Sequence, residues 1–162
     1  MALVAIEMED KKDNPNVIAP PPLIFLSGLL LGGFVAWHYP FPILPKTISI
    51  VVGVLLIALG IGLILTAWQQ MKKAKTNIEP WKPTTTILDT GLYGISRNPI
   101  YVAMIFVYLG VTCLFNSIWF LPFLTAAILL IHFGVILREE KYLESKFDED
   151  YLNYKNCVRR WI

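Results

Sequence analysis

Two short polar segments, each next to a long apolar stretch, contain the residues of this sequence that are best suited to chemistry. The first segment, residues 84–101, reads TTTILDTGLYGISRNPIY. Its glycines allow tight turns and the close approach of a ligand, and its Arg97 is a permanent cation beside the start of an apolar stretch. The second segment, Arg138-Glu139-Glu140, follows the next two apolar stretches. We expect the two segments to meet at one membrane face and to form a binding site.

These residue types suit a cationic or zwitterionic ligand. Tyrosine faces, such as those of Tyr93 and Tyr101, attract sulfonium or ammonium groups, carboxylates bind hydroxyl or amino groups, and arginine binds a carboxylate. Arg97 has an alternative interpretation, because basic residues at the ends of membrane spans commonly extend to lipid phosphates. Glu139 and Glu140 are one helical step apart, so we expect one of them to face the Arg97 loop and the other to face water.

The sequence lacks the patterns of several other kinds of site. Ser96 has no histidine and aspartate partners that would indicate a nucleophile triad, and Gly91-x-x-Gly94 is not a dinucleotide fingerprint. Cys113 and Cys157 are far apart with no histidine beside either, so we predict no metal site. A net charge of +2, without interleaved basic and aromatic residues, gives no indication of nucleic-acid binding.

The chain as a whole is too apolar for an ordinary soluble domain. Hydrophobic residues make up 56% of its 162 positions, and the mean hydropathy is +0.57. Asp, Glu, Lys and Arg are absent from residues 14–45, 47–71 and 98–137. Uncharged stretches of this length indicate membrane spans. We therefore predict an integral membrane protein made of a single domain, with membrane lipids as its surroundings.

Helices must position the two polar segments. Apolar runs bounded by prolines, aromatic residues and turn residues predict an all-α, polytopic fold with about four transmembrane helices and a C-terminal cytoplasmic amphipathic helix. The predicted boundaries are an N-terminal tail at 1–22, spans at 23–39, 47–69, 99–115 and 118–137, a loop at 72–98, and the amphipathic helix at 138–158. Because the apolar residues of that last helix recur every three or four positions, we expect it to close the site over the loop. Gly28 and Gly32 form a GxxxG pattern typical of close helix packing.

The distribution of basic residues predicts the orientation in the membrane. Thirteen of the fourteen lysines and arginines, all except Lys46, lie in the N-terminal tail, in the 72–97 segment or after residue 137. Basic residues accumulate on the cytoplasmic side of membrane proteins. We therefore expect a multi-pass protein whose termini and polar segments are cytoplasmic.

The string PTTTILDTGLYGISRNPIYVAM, followed after a hydrophobic hairpin by REEKYLESKFDEDYLNYKNCVRRWI, resembles the isoprenylcysteine carboxyl methyltransferase family. Relatives of that family include its short bacterial members and the phospholipid N-methyltransferases. The resemblance covers about residues 80–162, half of the chain, and includes two separated motifs in the family's order. It implies a membrane methyltransferase, in the inner membrane of a bacterium, that uses S-adenosylmethionine in a cytoplasmic pocket. The implied acceptor is lipidic, prenylated or a small molecule, and it enters from the bilayer.

Carried over residue by residue, the resemblance implies roles for particular side chains. The residues that would contact the cofactor are Leu88, Gly91, Tyr93, Asn98, Tyr101 and Glu140. The residues with implied catalytic roles are Arg97, Arg138 and Glu139, one of the arginines orienting an acidic acceptor. Asn98 stands where isoprenylcysteine enzymes usually have histidine, which fits the bacterial branch, and Asp148 stands where a glycine usually follows the motif's phenylalanine.

Three alternatives stay open at this point: a phospholipid N-methyltransferase on the same scaffold, an NADPH-dependent membrane reductase, and a non-enzymatic membrane subunit. The chemistry of the acceptor would decide what the site must supply. A carboxylate acceptor is already ionised near pH 7 and needs no general base. An amine acceptor must first lose a proton, and a carboxylate of the site would help to remove it. The sequence leaves the oligomeric state open.

Overall fold

The computed structural model of the chain describes residues 13–77, 79 and 82–162. The structure is 71% helical and has no strand within those residues, which confirms the predicted all-α fold. Its helices are α1 (Pro21–His38), α2 (Lys46–Lys73), α3 (Pro99–Phe115), α4 (Phe120–Ile131) and α5 (Leu137–Cys157). A 3-10 turn spans Gly91–Gly94, and a π-helical turn, His132–Ile136, joins α4 to α5. The first twelve residues of the predicted N-terminal tail lie outside the described part.

Three helical stretches are long and apolar enough to cross a membrane: Pro21–His38, Lys46–Lys73 and the continuous run Phe120–Cys157. The fourth apolar helix, α3, has 17 residues and is shorter than these. The chain is therefore a membrane protein, and the count of four spans stays a prediction. With 28 residues, α2 is about 42 Å long, longer than the roughly 30 Å hydrocarbon core of a bilayer. Its last turns therefore reach the polar loop that follows.

The helices pack mainly as two pairs, α2 against α3 and α1 against α4. Small residues make both contacts close. A Cβ at Gly60 of α2 would lie 2.8 Å from the Ala103 carbonyl oxygen of α3, so no larger residue fits there. In α1, a Cβ at Gly32 would lie 2.9 Å from a ring carbon of Phe120. The close packing predicted from the GxxxG pattern is confirmed, and its partner is α4.

The two pairs are joined at the end opposite the polar segments. Asn116, in the left-handed conformation with φ 48°, ends α3. Its side-chain oxygen accepts hydrogen bonds from the backbone N–H groups of Ile43 and Leu44, each at 3.0 Å, and its amide nitrogen donates to the Leu44 carbonyl at 2.8 Å. The side chain of Asn116 thus joins the α1–α2 loop to the α3–α4 turn, together with hydrogen bonds from Ile118 and Trp119 to the same loop.

The last apolar helix and the charged helix are continuous. The π-helical turn carries the helix from one to the other, and the charged residues begin at Arg138 without interruption. A π turn holds one extra residue, so it rotates the following helix by about 100° relative to an uninterrupted α-helix. It also leaves the Gly134 carbonyl available, and the backbone N–H of Ile18 donates to it at 3.2 Å.

The C-terminal end differs from the prediction. Within α5, Asp148 has φ 41° and ψ −118°, which kinks the helix, and the helix ends at Cys157 rather than at residue 158. Val158 is extended, with φ −119° and ψ 132°, and the last residues turn back toward the 96–98 segment. We call residues 158–162 the C-terminal tail.

Candidate functional site

A cavity lies where the end of α2, the segment 76–101, and the first turns of α5 meet. Its interior measures ≈ 140 Å³, and the empty space reaches ≈ 890 Å³ when the open mouth is included. The tyrosines that line it are Tyr93, Tyr101, Tyr142, Tyr151 and Tyr154. Leu88, Arg97 and Asn98 from the loop, and Glu139 and Glu140 from α5, complete the predicted residues that the structure brings together here. Small-molecule sites typically combine an apolar, aromatic lining with a few polar groups in this way.

The loop is attached to the end of α2 through Gln70. Gly91 has φ +61°, a conformation that glycine adopts without strain, and the side chain of Gln70 lies directly over it. The Gln70 side-chain oxygen accepts a hydrogen bond from the Leu92 backbone N–H at 3.2 Å. Gly91 itself does not line the cavity. The structure therefore gives Gly91 a role in shaping the loop and does not bring it to the position of a cofactor contact.

Helix α5 lies over this loop, in the position that its apolar stripe predicted. The Tyr154 hydroxyl donates to the Tyr93 carbonyl at 2.7 Å, and the Thr84 backbone N–H donates to the Tyr142 hydroxyl at 3.3 Å. Burial raises the pKa of Tyr93 above its ordinary value, with smaller contributions from neighbouring Tyr154 and Glu139. Tyr93 is therefore a neutral phenol at physiological pH.

Two residues of the wall, Arg97 and Glu140, form a cluster of two arginines and one carboxylate with Arg160 behind them. The Arg97 side chain is 8% exposed, and its Nη1 lies 3.2 Å from Glu140 Oε1. Arg160 of the C-terminal tail donates from Nε to Glu140 Oε1 and from Nη2 to Glu140 Oε2, both at 2.8 Å. This bidentate pair raises the pKa of the Arg160 guanidinium. Two cations thus share one anion, and the cluster carries an excess positive charge.

Arg97 is left with unused hydrogen-bond donors. Within the described residues, its Nε and Nη1 have no hydrogen-bond partner, and the contact of Nη1 with Glu140 is an ion pair without hydrogen-bond alignment. A buried guanidinium nitrogen without a hydrogen-bond acceptor lowers the stability of the fold, unless a bound ligand supplies the acceptor. The interpretation of Arg97 as a side chain that extends to lipid phosphate is wrong, because its guanidinium is buried against Glu140 and Tyr151.

Glu139 occupies a different part of the same cavity. Its Oε1 accepts a hydrogen bond from the Tyr101 hydroxyl of α3 at 2.8 Å. Burial raises the pKa of this carboxyl to about 7; the Tyr101 hydrogen bond opposes that shift and the neighbouring charge of Glu140 adds to it. As expected, Glu140 faces the Arg97 loop. Glu139 is half-buried and also lines the cavity, where Tyr101 is its partner, so the two carboxylates belong to one site.

Asn98 and Arg138 have contrasting positions. Asn98 lines the cavity, and its side-chain nitrogen donates to the Arg160 carbonyl at 2.9 Å. Arg138 is exposed and lies outside the cavity, where its Nη1 donates to the Asn16 carbonyl at 2.8 Å. Since Arg138 precedes Glu139 by one residue, it points about 100° away from it around the helix. The structure therefore does not bring Arg138 into the predicted site.

Sequence reasoning missed the tyrosines Tyr142, Tyr151 and Tyr154 that line the cavity, and it missed Arg160, which lies behind Glu140. Arg160 is the least predictable of these. It follows Glu140 by twenty positions and lies beyond the last apolar position of the amphipathic helix, so no helical spacing connects the two. The only signal was the pair of arginines, Arg159 and Arg160, after Val158. Among the described residues, no group of three or more His, Cys, Asp or Glu side chains is placed to hold a metal ion.

A family model described as phospholipid methyltransferase matches residues 48–150. The chain belongs to the phospholipid methyltransferase family. That match covers α2, α3, α4 and the first two thirds of α5, so it includes the loop, Tyr101 and both carboxylates of the cavity. It confirms the resemblance to the isoprenylcysteine and phospholipid methyltransferases. The C-terminal tail, with Arg160, lies beyond the matched residues of this family member.

The other comparisons add little to the family match. A Haemophilus influenzae protein described only as uncharacterized is 57% identical to this methyltransferase family member over 35 residues, which is 22% of this chain. The matched part covers 56% of that relative, so the chain spans about half of its length. No solved structure matches the chain.

Proposed function

We propose that this membrane methyltransferase family member transfers a methyl group from S-adenosylmethionine to a lipidic or small acceptor at the cytoplasmic face of the membrane. The observation that carries the proposal is the cavity in which a buried Arg97 with unused donors faces Tyr101, Glu139 and the loop residues Leu88 and Tyr93. The family match favours methyl transfer over the reductase alternative.

The residues of the cavity fit the chemical groups of the cofactor. Its amino-acid end carries a carboxylate, which the guanidinium of Arg97, a residue that lines the cavity, can bind. Tyrosine faces, including that of Tyr93, suit the sulfonium, and the apolar wall at Leu88 suits the adenine ring. The cofactor supplies an activated methyl group on its sulfonium. We propose that Leu88, Tyr93, Arg97 and Asn98 hold it.

We propose that the two polar clusters divide the cavity between cofactor and acceptor. Arg97 precedes the first turn of α3, on the side away from the apolar part of that helix. Tyr101 and Glu139 lie nearest to the apolar residues of α3 and of the α4–α5 run. An acceptor that comes from the bilayer reaches Tyr101 and Glu139 first. Arg97 is therefore assigned to the cofactor carboxylate, instead of to the acceptor as the resemblance implied.

The acceptor is proposed to be an amine-bearing lipid, with a carboxylate-bearing lipid as the second candidate. Glu139, with its pKa raised to about 7, gains and loses its proton near neutral pH and lies half-buried at the acceptor end. A carboxylate in that state can accept the proton that an amine must lose. A carboxylate acceptor would not require it, and for such an acceptor the protein's contribution would be positioning and the exclusion of water.

Cofactor binding tests the proposal directly. We expect purified protein in detergent to be stabilised against heating by S-adenosylhomocysteine, increasingly with its concentration, and not by NADPH. Incubation of membranes with a labelled methyl donor and lipid extracts should then give a labelled lipid, and separation by headgroup class identifies the acceptor. Stabilisation by NADPH instead would support the reductase alternative, and stabilisation by neither ligand would support a non-enzymatic subunit.

A further inference from the structure

The C-terminal tail is bound to the cofactor side of the cavity by its backbone. The Arg97 backbone N–H donates to the Arg159 carbonyl at 2.9 Å, and the Asn98 side chain donates to the Arg160 carbonyl at 2.9 Å. Val158, which begins the tail, is buried, and Trp161 packs against the hydrophobic core beside His132, with ring centroids 6.3 Å apart. The tail therefore packs behind the part of the wall that carries Arg97 and supports it through these bonds.

The side chain of Arg160 bonds both carboxylate oxygens of Glu140, so Arg97 cannot form a bidentate pair with the same carboxylate. A planar guanidinium binds a carboxylate best through two parallel hydrogen bonds, one to each oxygen. Arg160 makes both of these bonds with Glu140, at 2.8 Å each. Arg97 retains one contact, at 3.2 Å to Oε1, and its Nε and Nη1 keep their hydrogens unbonded in the described structure.

We propose that Arg160 is a positioning residue that keeps Arg97 available for the carboxylate of the cofactor by occupying both oxygens of Glu140. This inference rests on the proposed function. Without Arg160, the bidentate position on Glu140 is open, and Arg97 is the nearest guanidinium that can take it. The N–H donors of Arg97 would then bond Glu140 and would no longer be available to a ligand carboxylate. Glu140 is a positioning residue as well: it binds both arginines and does not contact the cofactor directly.

Two ligands and a matched pair of variants test this role. S-adenosylhomocysteine carries the carboxylate, and methylthioadenosine has the same nucleoside without it. We expect Arg160→Gln to weaken S-adenosylhomocysteine about 10-fold to 100-fold, the loss of one charge-assisted hydrogen bond, and to leave methylthioadenosine unchanged. Arg160→Lys, which keeps the charge without the planar fork, should lie between Arg160→Gln and the unaltered protein. Arg159→Gln, at the neighbouring exposed side chain, should bind both ligands normally.

A double-mutant cycle with Glu140→Gln then asks whether Arg160 acts through Glu140. In the Glu140→Gln background, Arg160→Gln should weaken S-adenosylhomocysteine no further. Equal weakening in both backgrounds, or equal weakening of both ligands, would show that Arg160 only supports the fold and would overturn the inference. If Arg160→Gln does not fold, the same comparisons with Arg160→Lys decide, since Lys keeps the charge balance of the cluster.

The outcome separates this inference from the proposed function. If the unaltered protein binds S-adenosylhomocysteine and Arg160→Gln binds it equally well, the inference fails and the proposed function stands. If the unaltered protein binds neither S-adenosylhomocysteine nor methylthioadenosine, the proposed function fails and the inference fails with it.

Discussion

Replacing Arg97 by lysine tests the assignment of the cofactor carboxylate most directly. The Arg97 side chain is 8% exposed and lines the cavity, and its buried Nε and Nη1 have no hydrogen-bond partner in the part of the chain that the structure describes. Lysine keeps the positive charge near Glu140 but has a single nitrogen, so it cannot pair with Glu140 and also present a planar fork to a ligand. A hydrogen bond to a charged group contributes about 1.5–3 kcal/mol. Arg97→Lys should therefore weaken a carboxylate-bearing ligand by about 10-fold to 150-fold.

Isothermal titration of the purified protein with S-adenosylhomocysteine and with methylthioadenosine measures this effect. Arg97→Lys should weaken the first ligand by the stated factor and leave the second unchanged, because methylthioadenosine has no carboxylate. Arg159→Lys is the matched control, since it makes the same replacement at an exposed side chain of the tail. Unchanged binding of both ligands by Arg97→Lys would refute the assignment of the cofactor carboxylate to Arg97. A lower rate of methyl transfer, with unchanged affinity for both ligands, would instead indicate that Arg97 binds the acceptor.

Three further predictions concern the acid–base group, the kink in α5 and the orientation. With an amine acceptor, the rate should rise as the pH increases through about 7, where Glu139 ionises. Glu139→Gln should remove this rise, and the same pH profile in both proteins would exclude the role. Because the folded protein binds this proton more tightly than the unfolded chain, the contribution of Glu139 to the free energy of unfolding should fall as the pH rises from 4.5, the ordinary pKa of a glutamate, to about 7. Asp148→Gly should raise the midpoint of thermal unfolding by about 2–4 °C, corresponding to roughly 1 kcal/mol of relieved backbone strain at φ 41°, whereas Asp148→Ala should not. In a background without the native cysteines, Lys75→Cys should react with an impermeant thiol reagent only from the cytoplasmic side and Lys46→Cys only from the opposite side, and the reverse pattern would overturn the orientation.

The sequence predicted those parts of the fold that depend on the composition of continuous segments. The uncharged stretches gave the helices nearly in their observed places, because the transfer of a charge into lipid is costly enough to leave a clear pattern. The apolar stripe of the last helix similarly indicated that it covers the loop. The π turn His132–Ile136 left no such pattern, since it changes the hydrogen bonding of a few apolar residues and not their polarity.

The composition of the site was predicted better than its pairings. Residue types alone indicated Arg97, Tyr101, Glu139 and Glu140, and all four line one cavity. Their partners depend on segments far apart in the sequence: Arg160 for Glu140, and Gln70 for the Gly91 turn. To predict these pairings, one must know the path of the chain after Cys157 and how far α2 extends beyond the apolar core. Local residue spacing indicates neither of these.

The position of the site at the edge of the apolar region follows from one hydrogen bond. Tyr101 is in the first turn of α3, and Glu139 is the second residue after the apolar run that ends at Leu137. Their hydrogen bond of 2.8 Å fixes the ends of these two apolar helices at the same depth. We therefore expect the Tyr101–Glu139 side of the cavity to lie where hydrocarbon gives way to polar headgroups, with Arg97 on the polar side of it. Under the proposed function, a lipid whose reactive group is in its headgroup would reach Glu139 with its chains still in the bilayer, and the cofactor would enter from the water.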